Sequence, residues 1–360
     1  MTRLYLVSSA ESEAEAYRIA QSHYDMGLSG RGWRQAEALR ERFAEIPLDA
    51  LYASDRYRAH ATAQALRQCR DLPIHRREDL RDMYLGPWEG QNWGNLAYDK
   101  RQEVDCFQTT PGRWSLAGAE EPSHAAQRLL SALRIIAEEN CEKSVAVISH
   151  TLIIQLAQAV LDGEPLEGIR WPSGGGHTAV TIMEVEAGAL RITRKNDTCH
   201  LQEECCRETR QPEYDMYLQP LHWVEYGDAM AQAVACVWDE SGETRLFDRD
   251  KLLADAAMLP TTIGYVEYEP AGFLQLGLEP GWITLLCTHP GCRRAGLGTQ
   301  LVGQAVIAAR ERGADALHIA PPPGCPHRDF FLHLGFRPAG RTEEGRELLE
   351  KDVRLRSELF

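Results

Sequence analysis

The chain is 360 residues long, 44% hydrophobic and 26% charged, with a formal net charge of −14. That length exceeds one ordinary hydrophobic core, so two domains are expected, and the composition is that of a folded globular protein rather than a disordered one. The acidic balance argues against sequence-independent nucleic-acid binding, which relies on Lys and Arg to neutralise phosphates.

In chain order, Leu4–Val7 is a compact apolar run expected to form a strand. Helical spacing follows over Gln35–Phe43, a second strand over Leu48–Ala53, and a helix over Ala59–Gln68. The apolar stripe through Leu129, Leu133, Ile136 and Ala137 predicts a helix over His124–Glu139. Ser144–Ile148 reads as a buried parallel strand feeding the helix Thr151–Leu161, and Thr178–Glu184 and Leu190–Arg194 read as a hairpin around Ala187-Gly188. Strand and helix patterns that alternate in this way predict an α/β layered domain.

Polar residues take over from Asn196 to Pro212, which places the domain boundary near residue 203, with domains 1–202 and 203–360. Met216–Trp238 mixes aromatic and small residues, and Arg249–Met258 predicts a short helix. Tyr265–Glu269, Phe273–Leu276 and Trp282–Cys287 read as successive strands. A helix over Leu297–Arg312, closed by Gly313, is followed by a strand over Ala316–Ala320 and a helix over Asp329–Leu334 that ends at Gly335.

The amino terminus opens on the strand-like Arg3–Val7 rather than on a charged-then-apolar leader, and no apolar stretch reaches the roughly 18 residues of a spanning helix. With ten scattered cysteines, the expectation is a cytoplasmic protein with reduced thiols and no membrane association. The tightest group, Cys199-His200 with Cys205-Cys206, fits no zinc pattern of two separated ligand pairs, so no metal is expected.

The most informative segment is Thr288-His289-Pro290-Gly291-Cys292-Arg293-Arg294-Ala295-Gly296-Leu297-Gly298-Thr299, between a strand and a helix. Gly296 and Gly298 would let the backbone approach an anion, and the unpaired N–H groups and dipole of the helix start point to the same place. A pyrophosphate is the natural guest. The competing reading is an ordinary turn with a solvated basic arm at Arg293 and Arg294.

Arg293, Gly296 and Gly298 match the Arg/Gln-x-x-Gly-x-Gly/Ala motif, and the segment resembles the GNAT N-acyltransferase superfamily over about 60 residues. Trp282–Thr288 resembles that family's central strand, and Phe330-Phe331-Leu332-His333-Leu334-Gly335-Phe336 its aromatic-x-x-x-Gly-Phe signature. The resemblance implies an α+β domain with a mixed sheet and acyl transfer from acetyl-CoA, or another acyl-CoA, to a small-molecule amine or peptide acceptor. It also implies a cofactor site at Leu286, Thr288, Arg293, Arg294, Ala295, Gly296, Leu297, Gly298 and Thr299. The tyrosine that often acts as general acid is Phe331 here, and an asparagine often found upstream is Gly324. Glu267 and Glu269 are candidate bases, against the alternative of a solvated strand face.

Four N-terminal segments fall just after expected strands: Ser8–Glu11, Ser54–Arg58, Leu80–Asp82 and Ser149–Thr151. Ligands of open α/β sheets bind outside such strand ends, and Arg58 and His150 converging there point to a phosphate pocket. Their order resembles the histidine phosphatase (phosphoglycerate-mutase-like) superfamily over residues 1 to about 202. Leu51–Asp55, Leu80–Met83, Trp88-Glu89-Gly90, Val145–His150 and Asn196–Leu201 carry the likeness. It implies a three-layer α/β/α fold with a pocket formed by Ser8, Ser9, Arg58, Asp82 and His150.

The family's Arg-His-Gly/Ala-Glu motif reads Ser8-Ser9-Ala10-Glu11 here, so the arginine and the nucleophilic histidine are both serines. An unactivated hydroxyl is a poor nucleophile, and losing the arginine removes a bidentate phosphate donor. The expectation is a pseudophosphatase domain that acts as scaffold or anion sensor. A phosphatase in which His150 activates Ser9, and a non-catalytic protein sensing coenzyme A or a phosphorylated metabolite, are the alternatives.

Overall fold

A computed structural model describes residues 1–67, 70–169, 176–202, 216–221, 254–255, 258–322 and 327–354. In the first half, β1 (Thr2–Ser8), β2 (Ala50–Ser54), β3 (Ile74–Arg77) and β4 (Ser144–Ser149) run parallel, and β5 (Val180–Glu186) with β6 (Ala189–Asp197) closes one edge antiparallel. The sheet order is β3-β2-β4-β1-β5-β6. Its helices are α1 (Glu13–Ala16), α2 (Gly30–Phe43), α3 (Tyr57–Arg67), α4 (Trp93–Asp99), α5 (Arg101–Thr109), α6 (Pro122–Glu139) and α7 (Thr151–Asp162).

The period-two alternation of strands builds the layers. Leu4, Leu6, Val145 and Val147 face α6 and α7 through Leu129, Leu133, Ile153 and Leu156. The alternate residues Tyr5, Val7, Ala146 and Ile148 face α2 and α3 through Leu39, Phe43, Ala59 and Leu66. This is the expected three-layer α/β/α domain. Helix α2 begins five residues before the apolar spacing shows, because Ser29 Oγ accepts from Gly32 N at 3.0 Å and caps it.

In the second half, β7 (Met216–Leu221), β8 (Thr261–Val266), β9 (Glu269–Leu276), β10 (Trp282–Thr288), β11 (Ala316–Ile319), β12 (Arg337–Arg341) and β13 (Glu347–Asp352) form a sheet of order β12-β13-β11-β10-β9-β8-β7. Among the described residues, β10 and β11 pair in parallel and the other neighbours antiparallel, giving the mixed sheet. Helix α8 (Leu297–Glu311) packs on it through Leu301, Val302, Ala305 and Val306, and α9 (Arg328–His333) precedes Gly335.

Contrary to the sequence expectation, Tyr265–Glu269 is not one strand: β8 ends at Val266, Glu267 and Tyr268 turn the chain at φ of 50° and 70°, and β9 starts at Glu269. The expected boundary near residue 203 and most of Arg249–Met258 lie outside the described residues. Among the described residues, no helix is long and apolar enough to cross a membrane.

Candidate functional sites

The carboxyl ends of β1, β2 and β4 bring the N-terminal candidates together. Ser8 is buried, but its hydroxyl donates to Gly176 O at 2.8 Å and accepts from Ala179 N at 3.1 Å, so it stitches a neighbouring loop to β1. Ser9 is buried beside it, its N–H donating to Ser149 O at 2.9 Å. Arg58, on the first turn of α3, is 3% exposed. Its Nη2 donates to Ser22 O at 2.9 Å, and its guanidinium lies 3.8 Å from Asp25 and 4.0 Å from Asp82. Arg58 Nη1 has no hydrogen-bond partner among the described residues.

His150, the N-cap residue of α7, is 1% exposed, and neither ring nitrogen has a hydrogen-bond partner among the described residues. Burial first, then Arg58, holds its pKa well below the ordinary imidazole value. His150 and Ser9 are therefore not hydrogen-bonded, and the expected alternative of a Ser9–His150 nucleophile and base is not assembled. Asp82 Oδ1 accepts from Met83 N at 3.0 Å and Ile153 N at 3.2 Å. Burial raises its pKa to about 6, with Arg58 and these amides opposing the rise.

The segment after β1 supplies residues that the motifs did not reveal. Asp25 accepts from Tyr57 N at 3.0 Å, and Glu89 accepts from the amides of Ser22, His23 and Tyr24 at 3.1, 3.0 and 2.7 Å. Gln21 Nε2 and Ser22 Oγ are buried without a partner among the described residues. Glu89 was visible in Trp88-Glu89-Gly90; Gln21, Ser22 and Asp25 carried no signal of their own.

Glu11, Glu15 and His177 place ligand atoms within 4.8 Å of one another. Glu11 is already engaged by Arg31 and by Ser29 Oγ, and Glu15 accepts from Ser12 N at 2.8 Å. His200 uses both ring nitrogens, at 3.1 Å from Arg42 and 3.0 Å from Thr178, which removes it from the Cys199-His200 group; Cys205 and Cys206 lie outside the described residues.

In the second domain β10 and β11 part company. They pair only at Trp282↔His318 and Ile283↔Ile319, then β10 continues to Thr288 while β11 ends. A register shift between Ile283 and Leu285 against β9 bends β10 at the same place. A cavity of about 570 Å³ fills the gap. Its walls are Thr284–Thr288, Cys292, Arg293, Arg294, Gly296, Gly298, Thr299, Ile319, Ala320, Pro321, Pro322, His327, Phe330 and Phe331.

Gly296 is the N-cap of α8 at φ 94°, a left-handed conformation that requires glycine, and no side chain caps the helix. A Cβ on Gly296 would meet nothing within 4 Å, whereas one on Gly298 would lie 3.2 Å from the Phe330 ring. So Gly296 keeps the loop open, and Gly298 lets α9 pack closely.

Of the expected cofactor residues, Leu286, Thr288, Arg293, Arg294, Gly296, Gly298 and Thr299 line the cavity. Two do not. Leu297 turns into the core at 1% exposure, and Ala295 packs against that core. Glu267 and Glu269 are also displaced: both are exposed at the β8–β9 turn and neither is on the wall. Phe331 is buried against Phe330 and Phe336 and offers no proton. His327 and Cys292 are wall residues that sequence reasoning missed, because only the folded loops bring them to the gap. Gly324 lies outside the described residues.

An α/β/α sheet with a buried Arg–His–Asp pocket, joined to a mixed sheet split above a glycine-opened helix, defines a phosphatase-like domain fused to an acyltransferase-like one. Residues 4–198 match the histidine phosphatase superfamily (branch 1), and residues 204–336 match the acetyltransferase (GNAT) family. The chain belongs to the histidine phosphatase superfamily and carries a C-terminal GNAT domain. Phosphoserine phosphatase 1 of Hydrogenobacter thermophilus is 25% identical over 203 residues, covering 56% of this chain and 96% of that protein. The adenosylcobalamin/alpha-ribazole phosphatase of Salmonella typhimurium is 27% identical over 165 residues, covering 44% and 79%. The structure of YhfR from Bacillus stearothermophilus is similar at a TM-score of 0.54 and 28% identity, over 56% of this chain and 99% of that one.

Proposed function

We propose that the C-terminal domain transfers an acyl group, acetyl in the simplest case, from coenzyme A to an amine. The N-terminal domain, on this reading, has lost phosphoryl transfer and serves as a scaffold with an anion-accepting pocket. The observation that carries the first half is the parting of β10 from β11 above the uncapped start of α8. That gap offers β10 backbone to an amide-bearing arm, and Arg293, Arg294 and the first-turn N–H groups to a diphosphate. The thioester, when bound, supplies an activated acyl carbon. With Phe331 unable to move a proton, His327 is the imidazole on the wall, a side-chain type that can accept or donate one.

Titrating acetyl-CoA calorimetrically into the wild type and Gly296→Trp tests this. Binding by the wild type is expected, with a loss of roughly 100-fold or more in the variant, whose side chain needs φ of 94° and would occupy the anion's place. Absence of binding by folded wild type would overturn the acyltransferase reading and favour a structural or partner-binding protein. An amine screen then separates a catalyst from a coenzyme A sensor.

A second reading, an active phosphatase, draws on the named activities of the relatives and on the retained Arg58, Asp82 and His150. Against it stand Ser8, whose hydroxyl is engaged, and Ser9, which makes no hydrogen bond with His150. With p-nitrophenyl phosphate, turnover at background is expected. Turnover that Ser9→Ala abolishes would establish the second reading instead.

A further inference from the structure

One stretch of chain, residues 13–26, belongs to both cores. On one side it frames the N-terminal pocket, through Ser22 O and Asp25 against Arg58. On the other, Ala14, Tyr17, Ile19 and Met26 are buried in the same apolar cluster as Leu297, Leu301, Val302, Ala305 and Val306. The helix that these residues seat is α8, and its first residue follows Gly296 of the candidate coenzyme A loop.

The seat is specific in shape. Tyr17 is 1% exposed and lies over Gly303, where an added Cβ would fall 2.5 Å from Tyr17 Cβ and 2.7 Å from its Cγ. Gln300 Oε1 accepts from Asn92 Nδ2 at 3.3 Å, and Arg310 Nη1 donates to Asp25 O at 2.9 Å. Gln300, Gly303 and Arg310 share one face of α8, so the attachments extend along roughly 15 Å of its length. Leu297 and Leu301 meanwhile contact the positions of Gly264 and Gly272 on the sheet. Lys351, on β13, is 5% exposed and ion-paired with Glu13, which adds a fourth attachment. Helix α8 is thus clamped between its own sheet and the N-terminal domain.

We infer that the phosphatase-like domain positions the coenzyme A loop by clamping α8, with Tyr17 against Gly303 as the positioning contact. A helix N-terminus recognises an anion through the direction of a few N–H groups, so a small rotation or slide of α8 changes the site that they form. This gives a domain without an assembled nucleophile a task in the acyltransferase. The inference rests on the acyl-CoA reading above.

The test is calorimetric titration of coenzyme A into the full-length wild type, Tyr17→Phe, Tyr17→Gly, Gly303→Ala and the double Tyr17→Gly/Gly303→Ala, each checked for folding by thermal melting. Tyr17→Phe, which keeps the ring, should bind as the wild type does. Tyr17→Gly and Gly303→Ala should each weaken binding roughly tenfold. The double should bind no more weakly than Tyr17→Gly, because the alanine methyl has room once the tyrosine is gone. Should Tyr17→Gly not fold, Tyr17→Leu replaces it as a single variant only, with a several-fold loss expected, because leucine keeps the Cβ and Cγ that an alanine at Gly303 would meet. Wild-type affinity in both single variants would show that the contact merely joins the domains, and losses that multiply in the double would show two independent effects; either overturns the inference. A wild type that fails to bind coenzyme A strikes the acyl-CoA reading itself, a result seen before any variant is compared.

Discussion

Asp82 and His150 show how one buried pocket treats an acid and a base in opposite ways. Burial disfavours charge on both, so it raises the carboxyl to about 6 and lowers the imidazole. Between the ordinary value of 3.8 and 6, the folded protein keeps a proton on Asp82 that the unfolded chain has released. Its stabilisation is therefore present below that window and lost as pH rises through it, a difference of about 3 kcal/mol from a shift of roughly two units. His150 acts in the other direction: its folded value is depressed, so stability falls as pH drops below the usual imidazole range. Asp82→Asn keeps the Oδ1 that accepts from Met83 and Ile153 but carries no charge. The variant should melt above the wild type at pH 8, with the gap closing towards pH 4. Melting curves across that range check it, and a gap independent of pH would show that ionisation of Asp82 is not the cause.

At the scale of elements, the split between β10 and β11 depends on how β10 is launched. Gly281, just before it, sits at φ 81°, and a Cβ there would lie 2.2 Å from Ala316 O at the start of β11. His318 N also donates to Gly281 O at 2.6 Å, which pins the two strands at their only paired end. Gly345 has nearly the same φ, 79°, but nothing within 4 Å of an added Cβ. Gly345→Ala should therefore cost about 1 kcal/mol, the conformational penalty alone. Gly281→Ala should cost more, on the order of 3 kcal/mol, since backbone must move as well. Chemical denaturation of the two variants measures the difference; equal losses would mean that the strand contact adds nothing.

At the scale of the whole molecule, the shared cluster under α8 joins the halves through one apolar core. Tyr17 and Ile19 are as deeply buried as Leu297 and Leu301, and the polar contacts Asn92–Gln300, Asp25–Arg310 and Glu13–Lys351 cross the same interface. Scanning calorimetry should show a single transition for the full chain. Coenzyme A at about 100 times its dissociation constant should raise the stability of that transition by roughly 2.7 kcal/mol, carrying N-terminal probes such as the buried Trp88 with it. Two resolved transitions, only one of them shifting, would show that the domains unfold independently.

Much of this was legible from the order of residues because it rests on local physics. The alternation along β1 and β4, the stripe of α6 and the glycine-opened start of α8 are short-range patterns, and the structure places each within a few residues of its expected bounds. Likewise the serines at positions 8 and 9, where the phosphatase pattern has arginine and histidine, needed only the motif. Strand Tyr265–Glu269 was misplaced because a tight turn at Glu267-Tyr268 carries no glycine, and that turn then took both candidate bases out to solvent. What the sequence determined by itself were the two folds, the glycine-opened start of α8 and the serines at positions 8 and 9, all properties of contiguous segments. Only the tertiary structure decided that His327 reaches the split strands, that Ser8 is engaged while His150 has no hydrogen-bond partner among the described residues, and that Tyr17 seats on Gly303. Those depend on side chains up to hundreds of positions apart meeting at one place, which periodicity and spacing do not encode.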